Sequence, residues 1–162
     1  MSITSAAHPG GEPARVRGSA DPRRQIVILL VEDDFDDRLF ITRAIHSSGI
    51  NARLETVSTA DEAEDYLTGR APFDDRQRYP LPHLMLCDLI LPCRSGLDLL
   101  TWLRHQSAFA NIEAIAISGA GNLENISHLQ RLGFKEILDK TTLVFQPSVF
   151  ARAVERLLIQ PG

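Results

Sequence analysis

His83-Leu84-Met85-Leu86-Cys87-Asp88-Leu89-Ile90-Leu91-Pro92 is an apolar run that stops at one carboxylate and then meets a proline. Apolar residues occupy both faces of its pleat, with no polar alternation. That pattern predicts an interior strand of a parallel sheet covered by helices on both sides. Such a strand delivers Asp88 to its carboxyl end, where open α/β sheets build their sites.

Residues 25–31 (QIVILLV) form a second continuous apolar run, ending in Glu32-Asp33-Asp34. A helix is predicted from there to residue 45, because Phe40 with Ala44 and Ile41 with Ile45 are i, i+4 pairs and Gly49 stops it. Residues 53–57 read as a short strand. Thr59 caps a helix over 60–68, with Glu62 three residues on completing a capping box. Residues 69–82 are a polar, proline-containing connection, long for its kind. Beyond Asp88 a helix is predicted over 97–105, a strand over 112–117 (IEAIAI), a helix over 123–132 closed by Gly133, and a short strand over 136–138 running into Asp139-Lys140. Phe150, Ala153, Val154, Leu157 and Leu158 give the last helix the clearest period of all. Five strands alternating with five helices predict a doubly wound, five-stranded parallel sheet, since each parallel strand needs a right-handed crossover.

The chain has 162 residues, 44% hydrophobic, enough for one well-filled core. Residues 1–24 combine Pro, Gly, Ser and Arg with few large aliphatics and read as a disordered leader; one domain is expected over 25–160. The formal charge is −4, and four of the arginines (Arg15, Arg17, Arg23, Arg24) lie in the leader. The domain itself is therefore the more acidic part, which disfavours nucleic acid as a partner. Cys87 and Cys93 are too few for a disulfide framework and lack partners at zinc-ligand spacing. No segment approaches the roughly 20 apolar residues of a membrane helix, and the leader lacks the centre of a signal peptide. A cytoplasmic protein is expected, with no membrane partner.

Four strand ends carry polar groups: Glu32 and Asp33, Asp88, Ser118, and Lys140. In a doubly wound sheet these ends share one edge. Three carboxylates in a partly desolvated cleft need a cation, and hard oxygen ligands with room for water suit Mg²⁺. A site of this kind presents an Asp oxygen to a phosphoryl group, while the metal, Lys140 and Ser118 neutralise developing charge. Ser118 also has a plainer reading as a strand terminator, since Ser-Gly-Ala-Gly at 118–121 is common loop chemistry. Asp34, Asp36 and Asp37 read as solvated acids of a first helical turn, favoured there by the dipole. His46, His83, His105 and His128 read as structural, and Trp102 as a core or interface residue.

With these residues in place, the chain from about 25 to 159 resembles a receiver domain of a bacterial two-component response regulator. The resemblance implies the flavodoxin-like strand order 2-1-3-4-5, with Asp88 as the residue phosphorylated by a histidine kinase. It also implies that Glu32, Asp33 and Asp88, aided by the backbone carbonyl of Ile90, hold Mg²⁺. Ser118 takes the place of the switch Ser/Thr, and Lys140 that of the phosphate-pairing lysine. The Leu91-Pro92 and Ser95-Gly96 pairs stand at family spacing. The long 69–82 connection and the Leu100-Thr101-Trp102-Leu103-Arg104 helix are similar to single-domain regulators that partner phytochrome-type sensor kinases. Two positions depart from the family: Thr141 follows the lysine in place of a cis proline, and Ile137 stands where an aromatic often turns inward on activation.

The function expected from the resemblance is a phosphorelay protein that accepts and slowly loses a phosphoryl group by self-catalysis, without being a turnover enzyme. It would signal through protein contacts with a sensor histidine kinase, a phosphotransfer protein or a second copy of itself. A flavin or nucleotide binder on the same fold would want a phosphate-cradling Gly- or Ser/Thr-rich first loop, whereas Glu-Asp-Asp repels phosphate. An aspartyl-phosphate phosphatase would want a second carboxylate at the position of Ile90. The remaining alternative is a pseudo-receiver that binds partners without phosphorylation.

Overall fold

The computed structural model describes residues 25–119 and 126–159; the leader expected over 1–24, and Ala120, lie outside them. The elements run β1 (Ile26–Val31), α1 (Phe35–Ser47), β2 (Ala52–Val57), α2 (Ala60–Thr68), β3 (Leu84–Asp88), α3 (Gly96–His105), a 3₁₀ turn (Ser107–Phe109), β4 (Glu113–Ser118), α4 (Ile126–Arg131), β5 (Glu136–Asp139), α5 (Lys140–Phe145) and α6 (Ser148–Val154), which continues as a π turn (Glu155–Ile159). All strand pairs are parallel, in the order β2-β1-β3-β4-β5. The fold is the doubly wound, flavodoxin-like one expected.

The pleat divides the apolar strands between two cores. Leu29, Val31, Met85, Cys87, Ala114 and Ala116 face α2, α3 and α4. Ile28, Leu30, Leu84, Leu86, Ile115 and Ile117 face α1, α5 and α6. Each large aliphatic side chain so buried is worth about 1.5–3 kcal/mol, which is why the central strands carry no polar alternation. Every residue of β3 is buried, the terminal Asp88 included.

The helix count needs correction: among the described residues there are six α-helices, not five. The short α5 begins at Lys140, where Asp139 Oδ1 accepts from Thr142 N at 2.8 Å, and it ends before Pro147. Gln146, the residue ahead of that proline, is outside the α region, as its crowding by the proline ring demands. The chain restarts as α6, whose Phe150, Ala153 and Val154 are buried. The lysine–threonine bond after β5 is not cis, and the chain passes from β5 directly into α5.

The capping box at α2 is only half realised. Thr59 Oγ1 accepts from Glu62 N at 3.1 Å, while Glu62 Oε2 accepts from Ser58 N at 2.7 Å, one residue earlier. The long connection after α2 is packed rather than loose. Tyr66, Phe73 and Tyr79 meet with ring centroids 5.2–6.0 Å apart, and Arg76 donates to the carbonyls of Tyr66 and Leu67 at 2.7 and 2.6 Å, closing the end of α2. His83 is structural as expected, its Nδ1 accepting from Val27 N at 3.0 Å.

Candidate functional site

The site begins at the end of β1. Glu32 N still donates to Val57 O at 3.1 Å, so the carboxylate is fixed to the sheet, and its residue is fully buried. Arg38, one turn into α1, donates to Glu32 O at 3.0 Å and to Ser58 Oγ at 2.8 Å, tying the β1 and β2 ends together. Asp34 is the helix cap, accepting from Asp37 N at 2.9 Å.

β3 delivers Asp88, 5% exposed, to the neighbouring position. Its Oδ1 accepts from Ile90 N at 2.9 Å, which holds one oxygen and leaves the other directed at Lys140. The turn after Asp88 is closed by the start of α3: Gly96 N donates to Leu89 O at 3.1 Å, and a Cβ on Gly96 would collide with the Asp88 carbonyl oxygen and lie 3.1 Å from Cys87 Sγ. A glycine is required there by close approach, not by backbone conformation. Ser95 and Asp98 form a complete capping box that starts α3 at this point.

Lys140 arrives from the start of α5. Its Nζ lies 2.6 Å from Asp88 Oδ2, 2.7 Å from Asp37 Oδ2 and 2.9 Å from Glu32 Oε2. Burial by itself disfavours the ammonium, but the hydrogen bonds to Asp37 and Asp88 and the close carboxylate of Glu32 together outweigh it and hold the Lys140 pKa above its ordinary value. Glu32 is pushed up to about 7: burial is the largest cause, reinforced by the charge of Asp88 and opposed by Lys140 and the Asp34 N–H. Glu32 Oε2 is within ion-pair distance of Nζ but off the direction of a hydrogen bond, and no hydrogen bond satisfies it.

That buried, unsatisfied oxygen tests whether a divalent cation fits. Oxygens of Glu32, Asp33 and Asp88 lie within 4.8 Å of one another. Asp33 is exposed, so water can complete a coordination shell, and all donors are hard carboxylates. The set fits Mg²⁺.

The structure thus brings together four of the expected site residues, Glu32, Asp33, Asp88 and Lys140. Ser118 ends β4 beside them and is buried, but its hydroxyl turns to the Gly119 carbonyl at 3.3 Å rather than to Asp88 or Lys140. Ile90 contributes its N–H, and its side chain is 64% exposed. Asp37 is the residue that sequence reasoning missed, having been grouped with the solvated first-turn acids. Side chains of a helix tilt toward its N-terminus, so an acid three residues past the Asp34 cap points back at the strand ends. That was the available signal.

Residues 28–146 match the family model described as the response regulator receiver domain. The chain belongs to this family. Among solved structures the receiver is similar to a response regulator in red light signaling of R. palustris, at 25% identity and a TM-score of 0.71 over 84% of this chain and 96% of that one. It is also similar to the bacteriophytochrome response regulator RtBRR, at 26% identity and TM-score 0.72, covering 86% of this chain and 81% of that one. The phosphorylated cyanobacterial phytochrome response regulator RcpA shares the fold, at 23% identity and TM-score 0.70, over 86% and 98% of the two chains. Among curated proteins none matches the receiver in sequence. No described helix is long and apolar enough to cross a membrane.

Proposed function

We propose that this receiver is the phosphoacceptor of a two-component relay, taking a phosphoryl group on Asp88 from the phosphohistidine of a sensor kinase. The observation that carries the reading is the contact of Lys140 Nζ with Asp88 Oδ2 at 2.6 Å, beside a buried carboxylate oxygen with no hydrogen bond. A lysine that only neutralised a carboxylate would not need two further acids beside it.

In the transfer, an Asp88 oxygen attacks phosphorus in line; the new O–P bond forms as the P–N bond breaks. The imidazole leaves with the bonding pair and takes a proton from solvent. Ile90 N–H orients the Asp88 carboxylate, and Lys140 receives an equatorial phosphoryl oxygen. Bound Mg²⁺, held by Glu32, Asp33 and Asp88 with the Ile90 carbonyl, would neutralise charge that the lysine alone cannot. Ser118 would turn from Gly119 to the phosphoryl group. The protein acts as a self-phosphorylating switch rather than a turnover enzyme, in the cytoplasm, with output through protein contacts. The relatives named for phytochromes support a phytochrome-type kinase as donor. Incubation with a radiolabelled, autophosphorylated kinase core of that type tests the reading: label should move to the native chain and not to Asp88→Asn. Transfer to both proteins equally would place the acceptor elsewhere.

A further inference from the structure

Lys140 has three N–H donors and three carboxylates around it, at 2.6, 2.7 and 2.9 Å. Nζ hydrogen-bonds Asp88 Oδ2 and Asp37 Oδ2, while Glu32 Oε2 is an ion-pair contact alone, so a phosphoryl oxygen arriving at Lys140 competes with these carboxylates for the ammonium. The cost of release is set by where the freed carboxylate is left. Acyl phosphate formation removes the charge of Asp88 itself; of the two carboxylates that keep theirs, the Glu32 side chain is fully buried and could not be rehydrated in place, whereas Asp37 is 43% exposed. A solvated carboxylate loses little when its ion pair opens, while a buried one is left as an uncompensated charge.

We propose that Asp37 is a positioning residue that latches Lys140 in the unphosphorylated receiver and yields it to the incoming phosphoryl group. This rests on Asp88 being the phosphoacceptor. The pair joins the first turn of α1 to the first turn of α5 across 103 residues of sequence. Its opening therefore removes one tie between the two helices that line a groove with Phe40, Val144 and Phe145. Phe145 is 78% exposed at that groove. The latch gives phosphorylation a mechanical consequence in a chain where Ile137 leaves no aromatic to turn inward.

Because the latch competes with the phosphoryl group for Lys140, removing it should favour binding of a phosphoryl group. The experiment compares native protein, Asp37→Asn, Asp37→Glu and Asp36→Asn for beryllofluoride affinity in Mg²⁺ and for the acetyl phosphate dependence of adduct formation by intact mass. Asp37→Asn should lower both the beryllofluoride Kd and the half-saturating acetyl phosphate roughly two- to fivefold. Asp37→Glu should restore native behaviour. Asp36 is exposed on the same turn and absent from the contacts of Lys140, so Asp36→Asn removes the same charge and should change neither constant. Equal shifts in Asp36→Asn and Asp37→Asn would reduce the effect to a general field and overturn the latch. So would an Asp37→Asn protein that loses thermal stability with both constants unmoved. Absence of any adduct on native protein would overturn the phosphoacceptor reading and the latch with it; adduct on native protein with no Asp37 effect would overturn the latch alone.

Discussion

Glu32 and Lys140 face each other at 2.9 Å, yet the glutamate oxygen nearest the ammonium has no hydrogen bond. Burial dominates the balance and lifts Glu32 to about 7 from an ordinary 4.5. A carboxyl raised in the folded state favours folding when protonated. Its contribution is complete below about pH 4.5 and is lost as pH rises through about 7. Metal-free protein should therefore lose thermal stability by a few degrees between about pH 5 and pH 8, and Glu32→Gln should flatten that decline. A differential scanning fluorimetry series in chelator checks it; a native profile that rises over this interval and is unchanged by the substitution would refute the assignment.

The same proton competes with metal. With Glu32 near 7, Mg²⁺ affinity measured by calorimetry should be about tenfold weaker at pH 6 than at pH 8, because roughly nine-tenths of the glutamate is protonated at the lower value. Glu32→Gln should bind more weakly at pH 8 and show no such dependence.

Gly96 makes a separate prediction, since it rests against the Asp88 carbonyl. Gly96→Ala should cost about 1–3 kcal/mol by overpacking, read as a lower denaturation midpoint in urea. It should also slow adduct formation by displacing the end of β3. Native stability in this variant would mean that the turn after Asp88 has room to spare.

Most of this fold could be read from residues 25–31 and 83–92, because strands buried on both faces leave an unbroken apolar run that helices do not imitate at that length. Asp88, Glu32 and Lys140 were legible for a related reason: each is the first polar group after such a run or after the shorter β5, with Asp33 next to Glu32, so the sheet brings them to one edge. Asp37 was not, because its role depends on Lys140, distant in sequence, and its local setting equally suits a solvated acid. The α5–α6 break was carried by Asp139 and Pro147, a cap and a breaker six residues of helix apart, but the strong period of Phe150 to Leu158 drew attention to α6 alone. Glu62 shows the limit of motif spacing: the box pattern is present, and the side chain bonds Ser58 instead of Thr59.

Ile90, 64% exposed beside Asp88, offers an attacking water no hydrogen-bonding side chain. A water attacking the phosphoryl group gains no orientation from that position. Loss of phosphoryl from the native chain should be slow, over minutes or longer at neutral pH with Mg²⁺, and Ile90→Asn should speed it several-fold. Decay of the intact-mass adduct with time measures both; native decay within seconds would contradict the account.

The central claim is that Asp88 is the phosphoacceptor of a Mg²⁺-assisted switch. Intact-mass analysis after acetyl phosphate, with and without Mg²⁺, on the native chain and on Asp88→Asn tests it most directly. The account predicts one phosphoryl adduct on native protein that requires Mg²⁺ and is absent from the variant. No adduct under any condition, or an adduct that survives in Asp88→Asn, would contradict it.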